Sequence, residues 1–271
     1  MDFTRLFSLE GRVALVTGGS RGIGRMIAEG FLSAGALRVY ITARKEAEVN
    51  ATAAELTARY PGTCIAMAGD ISGLAGIDTL VAALAPLEQR LDILVNNAGI
   101  AWGAPFDVFP ESGWDKVMDL NVKTPFFLTQ KLHELLRAGA TADQPAKVIN
   151  IASVDGIRLN PWETYPYQAS KAALIHLTRR MAARLAGENI AVTAIAPGMF
   201  ASKMNQAAAV AEAKLAAHIP IGRAGVDEDM AAAAIYLASR AGNYVVGETL
   251  TVDGGWVNAA MPRDFVSATG E

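Results

Sequence analysis

Seven short apolar runs, at residues 13–16, 39–42, 64–67, 93–95, 148–151, 192–195 and 249–252, recur along the 271-residue chain. Runs of this length rich in Val, Ile and Leu have the character of strands. The stretches between them, roughly 23–33, 47–60, 76–89, 113–136, 167–185 and 227–239, have helical length and composition. A strand, a helix and a further strand connect by a right-handed crossover, and a series of such crossovers lays the strands parallel in one sheet. Runs such as Ile93-Leu94-Val95 lack polar alternation, so both faces of the sheet are expected to be covered by helices. The expected architecture is a doubly wound α/β fold of about seven parallel strands, in one domain spanning residues 1–271. The alanine-rich stretch 207–217 reads as an amphipathic helix.

Charge and composition exclude several function classes. The net charge of −3 comes from interspersed charges, with no basic stripe for a phosphate backbone, so nucleic acid is not an expected partner. Residues 1–10 carry Asp2, Arg5 and Glu10 and show no apolar signal core. No apolar stretch reaches the roughly 18 residues of a membrane span, so a soluble, cytoplasmic protein without a membrane partner is expected. The lone cysteine, Cys64, falls in a strand and reads as a buried inert thiol. His133, His176 and His218 are scattered through helical segments, and no metal site is expected.

The first strand runs into Thr17-Gly18-Gly19-Ser20-Arg21-Gly22-Ile23-Gly24, with a helix directly after it. Strand, glycine turn and helix in that order let the backbone approach a pyrophosphate, while the amides at the helix start supply counter-charge. About 20 residues further on, an NAD site would carry a carboxylate for the ribose. This chain has Thr42-Ala43-Arg44-Lys45 there. Arg44, with Arg21 from the glycine loop, can pair with the 2′-phosphate that distinguishes NADP, so NADP(H) is the expected cofactor. Asp70, at the end of the third strand, can accept a hydrogen bond from an adenine amino group or cap a helix.

Tyr167 and Lys171 lie four apart on a predicted helix and share a face. A neighbouring ammonium favours phenolate, which moves tyrosine from about 10 toward a working pH and makes it a usable acid and base. Tyr165 is a rival, but the residue four later is Ala169 rather than lysine. Ser153 ends the fifth strand, at the carboxyl edge where doubly wound sheets bind ligands.

The pattern Gly18-x3-Gly22-x-Gly24, with Asn96-Asn97-Ala98-Gly99, Ser153, Tyr167-x3-Lys171, Pro197-Gly198 and Asp253-Gly254-Gly255, resembles the short-chain dehydrogenase/reductase family over nearly the whole length. Segments such as Ser112-Gly113-Trp114, Asn150-Ile151-Ala152-Ser153 and Ile195-Ala196-Pro197-Gly198 are most like the bacterial 3-oxoacyl reductases of the rhamnolipid-synthesis type. The resemblance implies a Rossmann-fold enzyme in which hydride passes between NADP(H) and a ketone or secondary alcohol. It implies that Ser153 hydrogen-bonds the substrate oxygen, that Tyr167 exchanges the proton, and that Lys171 holds the nicotinamide ribose. Asn121 then positions a water that links the lysine to solvent, or else it caps or kinks its helix. By the same likeness Gly18, Ser20, Arg21, Gly22, Ile23, Gly24, Arg44, Asp70 and Ile71 contact the cofactor. Asn96, Asn97, Ala98 and Gly99 border it, together with Tyr167 and Lys171, and Pro197 and Gly198 close over the carboxamide. Family members usually form homotetramers or dimers, and the same is expected here.

Substrate selection is expected from Trp102, from the 155–166 loop with Trp162, and from a lid at about 199–220 that includes Met199, Phe200 and Met204. Three function classes stay open: a carbonyl reductase acting on a 3-oxoacyl or related ketone, an NAD(P)-linked dehydrogenase of a sugar, polyol or cyclic alcohol, and a cofactor-binding sensor without turnover. The set Asn121, Ser153, Tyr167 and Lys171 argues against the last, because a binding module has no need of it.

Overall fold

The computed structural model describes residues 2–200 and 218–260. Its seven strands are β1 (Val13–Thr17), β2 (Arg38–Ala43), β3 (Thr63–Ala68), β4 (Ile93–Asn96), β5 (Ala146–Ile151), β6 (Ile190–Pro197) and β7 (Thr249–Val252). They form one sheet in the order β3-β2-β1-β4-β5-β6-β7, and every neighbouring pair is parallel. Each predicted apolar run lies inside one of these strands.

The helices are α1 (Phe3–Phe7), α2 (Gly22–Ser33), α3 (Glu46–Arg59), α4 (Leu74–Leu84), α5 (Glu111–Met118), α6 (Thr124–Lys131), α7 (His133–Ala138), α8 (Tyr165–Leu185) and α9 (Asp227–Ala238). Two cores explain the unbroken apolar strands. Ala14 and Val16 of β1 face a core shared with Ile27 and Phe31 of α2, Val49 and Leu56 of α3, and Met230 and Leu237 of α9. Val13 and Leu15 face the other core, with Ile77 and Leu84 of α4, Leu128 of α6 and Met181 of α8. Burial on both sides removes any need for a polar face.

Three elements differ from expectation. The helix predicted over 76–89 ends at Leu84, because Pro86 has no amide to carry the hydrogen-bond ladder on. The helix predicted over 113–136 is broken into α5, a π-helical turn at Asp119–Lys123, α6 and α7. Helix α8 begins two residues early, at Tyr165, with Pro166 in its first turn, where a missing amide costs nothing. Residues 207–217 lie outside the described residues. Among the described residues, no helix is long and apolar enough to cross a membrane.

The order of the strands reverses between β1 and β4, so the crevice above their carboxyl ends is where such a sheet takes a ligand.

Candidate active site

The glycine loop leaves β1 and is fastened to the turn after β4. The Thr17 hydroxyl donates to the Val95 carbonyl (3.2 Å) and accepts the amides of Asn97 and Ala98, both at 3.0 Å. The Asn97 side-chain amide returns the link, donating to the carbonyls of Thr17 (2.8 Å) and Gly18 (3.1 Å). Glycine is required twice here. Gly18 has φ +66°, and a Cβ there would lie 3.0 Å from Asn97 Nδ2; at Gly24 a Cβ would press on the Gly18 carbonyl oxygen. The result is bare backbone at the start of α2, whose first-turn amides receive no side-chain cap. That cradle fits a pyrophosphate, with Gly22 and Ile23 opening the helix toward it.

Beyond the loop, Ser20 is buried and its hydroxyl donates to Glu48 Oε1 at 2.9 Å. Arg21, Arg44 and Lys45 are exposed. Asp70 is not the cap of α4, which is Gly73; its carboxylate accepts the Ser72 amide at 3.0 Å. That hydrogen bond, aided by the Arg44 charge, holds its carboxyl below the usual range. Asp70, Ile71, Thr42, Met67 and Leu80 line a hollow between the ends of β2 and β3 and helix α4, a place suited to a flat apolar ring.

Asn96 corrects an expectation. Its side chain points into the molecule rather than to the cofactor crevice, donating to Asn150 Oδ1 (2.9 Å) and Thr129 Oγ1 (3.3 Å), while Asn150 donates to Thr178. Alternation along β4 dictates this, since Val95 and Asn97 take the other direction. Asn97, Ala98 and Gly99 remain on the crevice side. A Cβ on Gly99 would lie 3.1 Å from Asn121 Oδ1 and 3.6 Å from Lys171 Nζ, so the bare glycine stands beside both.

The structure brings together all four residues expected to act. Ser153 follows β5 and accepts the Asp155 amide at 3.1 Å. Tyr167 and Lys171 lie on α8, with the ammonium 5.5 Å from the tyrosine ring centroid and donating to the Ile151 carbonyl at 2.7 Å. Asn121 sits in the π-helical turn, a distortion common at functional sites. Its amide clamps Ile100 in both directions at 2.9 Å and donates to Ser170 Oγ at 3.0 Å. It thus caps no helix and is buried, but it lies in the turn that breaks the helix predicted over 113–136.

Electrostatics here differ from the expected phenolate. Burial pushes Tyr167 up to about 12, against a downward pull from the Ser153 hydroxyl, and the Asp155 carboxylate raises it further. Burial also pushes Lys171 down to about 8, with Asp155 opposing. Desolvation dominates, and it favours the neutral phenol of Tyr167 over the phenolate. Two residues in this network were missed. Ser170, whose hydroxyl donates to the Tyr167 carbonyl at 2.7 Å, shares the helix face at three-residue spacing and was findable. Asp155 lies in a single 3₁₀ turn after β5, too short for periodicity to mark it, and burial raises its own pKa.

Tyr165 is engaged elsewhere. Its hydroxyl donates to Glu163 at 2.9 Å, and its ring packs edge-on against Phe106 (5.6 Å) and Phe109 (5.9 Å). Pro197 ends β6, and the Gly198 amide donates to the Val252 carbonyl at 2.9 Å, seating this turn against Asp253. Trp102 lies over Gly113, where a Cβ would meet the indole at 2.8 Å, with Lys116 5.4 Å from its ring centroid. Trp162 is exposed, and Met199 accepts the Gly225 amide at 2.8 Å. Phe200 is a second correction: at 4 % exposure it belongs to the core and packs on Gly225, because an apolar residue suits a core as well as a pocket. Met204 and most of the expected lid lie outside the described residues. Burial pushes Cys64 up to about 12, which leaves an inert thiol. His133 pairs with Glu188 at 2.8 Å.

Comparison with known proteins gives a family and several likenesses. A family model described as enoyl-(acyl carrier protein) reductase matches residues 18–257. The rhamnolipids biosynthesis 3-oxoacyl-[acyl-carrier-protein] reductase of Pseudomonas aeruginosa is 52 % identical, over 92 % of this chain and 98 % of that protein. The 2-dehydro-3-deoxy-D-gluconate 5-dehydrogenase of Dickeya dadantii is 37 % identical, over 93 % of this chain and 97 % of that one. Among solved structures, the Pseudomonas aeruginosa RhlG/NADP active-site complex superposes with a TM-score of 0.89 at 51 % identity, covering 93 % of this chain and 98 % of that one.

Proposed function

The chain belongs to the short-chain dehydrogenase/reductase family and is an NADP(H)-dependent oxidoreductase that interconverts a ketone and a secondary alcohol; we propose that its substrate is a 3-oxoacyl thioester. The glycine loop (Gly18, Gly22, Ile23, Gly24) holds the pyrophosphate side of the cofactor, and Ser20, Arg21 and Arg44 take the 2′-phosphate. Asp70 and Ile71 hold the adenine, while Asn97, Ala98, Gly99, Pro197 and Gly198 border the nicotinamide end. When bound, the cofactor supplies the hydride that the carbonyl carbon accepts.

The chain's own residues do the rest. The Ser153 and Tyr167 hydroxyls donate to the carbonyl oxygen, stabilising the charge that grows on it. Tyr167 then gives its proton to that oxygen. Lys171 holds the nicotinamide ribose, and Asn121 with Ser170 fixes the turn beside it. One arrangement carries the reading: the Tyr167 hydroxyl lies within hydrogen-bonding reach of Ser153 at the carboxyl edge of β5, with the Lys171 ammonium 5.5 Å from its ring centroid. Apolar side chains standing in solvent on the segment between Ser153 and Tyr167 favour an acyl substrate. Leu159 is 85 % exposed and Trp162 55 %, and an acyl chain laid against them removes that surface from water.

The polyol reading has its own support in the gluconate-type relatives at 37 % identity. A screen of NADPH oxidation over 3-oxoacyl thioesters, cyclic ketones and keto sugars separates the two. Turnover highest with 3-oxoacyl thioesters is the expected result. Preference for a keto sugar replaces the proposal with the second reading, and no turnover on any of them makes the chain a sensor. We further place the protein in the cytoplasm as a single-domain chain in a homotetramer or dimer, on the family likeness, which light scattering and fractionation test.

A further inference from the structure

Glu48, in the first turn of α3, has no part in the roles assigned above, yet it stands among the residues given to the 2′-phosphate. Its Oε1 accepts the Ser20 hydroxyl at 2.9 Å and lies 3.9 Å from Arg21 Nη1. The arrangement is braced from below: the Thr52 hydroxyl reaches the carbonyl oxygens of both Ser20 (2.9 Å) and Glu48 (3.0 Å). Arg44 and Lys45 stand exposed at the start of the same helix, with Lys45 as its N-cap residue. A carboxylate there gains from the amide dipoles of the helix start.

A carboxylate and a phosphate monoester are both anions that only accept hydrogen bonds, and both seek the Ser20 hydroxyl and the Arg21 guanidinium. Held at one set of donors they also repel each other. The Glu48 side chain is about a quarter exposed, so it has room to turn outward, whereas Ser20 is held by its buried backbone contact to Thr52. We infer that Glu48 is a specificity-determining residue: it competes for the donors assigned to the 2′-phosphate and thereby tempers the chain's preference for NADP(H) over NAD(H). Binding NADP(H) requires Glu48 to release Ser20 and Arg21 and then to sit near a like charge. NAD(H) has a neutral ribose hydroxyl at that point and lets the carboxylate stay.

The inference rests on the NADP reading, and its test separates the two. NADPH and NADH are titrated, without substrate, into wild type, Glu48→Gln and Glu48→Ala, following nicotinamide fluorescence. The expected result is a fall of about three- to tenfold in the NADPH Kd in both variants, the scale of one partly screened like-charge contact, with the NADH Kd unchanged. An unchanged NADPH Kd overturns the role of Glu48. So does a parallel weakening of both cofactors, which marks Glu48 as a brace of the glycine loop. A wild type that binds NADH as tightly as NADPH, with neither variant gaining affinity for NADPH, overturns the cofactor reading and this inference together, whereas a wild type that prefers NADPH, with unaltered variants, overturns the inference alone.

Discussion

Tyr167 keeps its proton because burial makes the phenolate costly, and the carboxylate of Asp155 adds to that cost. The value near 12 suits the reductive direction, in which the side chain begins by holding the proton it will give. Replacing it tests this directly. Tyr167→Phe is expected to lower reductive kcat by about 10²- to 10⁴-fold, the usual worth of a positioned acid, while NADPH still binds. Turnover near the wild-type level in stopped-flow assays rejects Tyr167 as the proton donor. Tyr167 and Lys171 were legible in the sequence because a spacing of four is a geometric statement about one helix face. The direction of the pKa shift was not, because desolvation depends on what covers the ring. Phe200 and Asn96 went astray for a related reason: residue type alone does not tell which way a side chain points once it has left the regular part of a strand or closes it.

At the scale of elements, β5 carries a buried cost. Lys147 is 1 % exposed, its ammonium has no hydrogen-bond partner among the described residues, and Arg12 is near it. Burial pushes its pKa down to about 8, from 10.5. Below pH 8 the folded chain holds a charge that water would solvate better. Between about pH 8 and 10.5 the unfolded chain binds the extra proton, so this residue's penalty fades as pH rises. Lys147→Met keeps the apolar stem and is expected to stabilise the protein by roughly 1–3 kcal/mol at pH 7. Urea midpoints at pH 7 and pH 10 check it: the gain must shrink at the higher pH, and a variant less stable than wild type at both shows that the lysine has a partner. The strands themselves were readable as apolar runs, since both faces are buried. The break at Asp119–Lys123 was not, because a π-helical turn needs only one extra residue and leaves the composition of a helix intact.

For the whole molecule, the crossover rule was enough to predict a parallel sheet, and the carboxyl edge where the site lies followed from it. Strand order needed the structure, because alternation of strands and helices does not say where the winding reverses. Protection from solvent follows that order. β1, β4, β5 and β6 are buried along their length, while edge strand β3 is exposed at both ends. Hydrogen exchange followed by mass spectrometry is expected to be slowest in β4 and β5 and earlier in β3. Equal exchange in β3 and β4 contradicts that ranking. The reversal has one more consequence, through Thr17. Its hydroxyl binds Asn97 and Ala98, eighty and eighty-one positions away, so the cradle at the glycine loop exists only after the chain's first mononucleotide half has met β4. A dinucleotide that recognises this cradle has no counterpart to bind on either half alone. By mass action it draws the population toward the closed chain, and the metabolic supply of the cofactor becomes a determinant of how long the folded protein lasts in a cell.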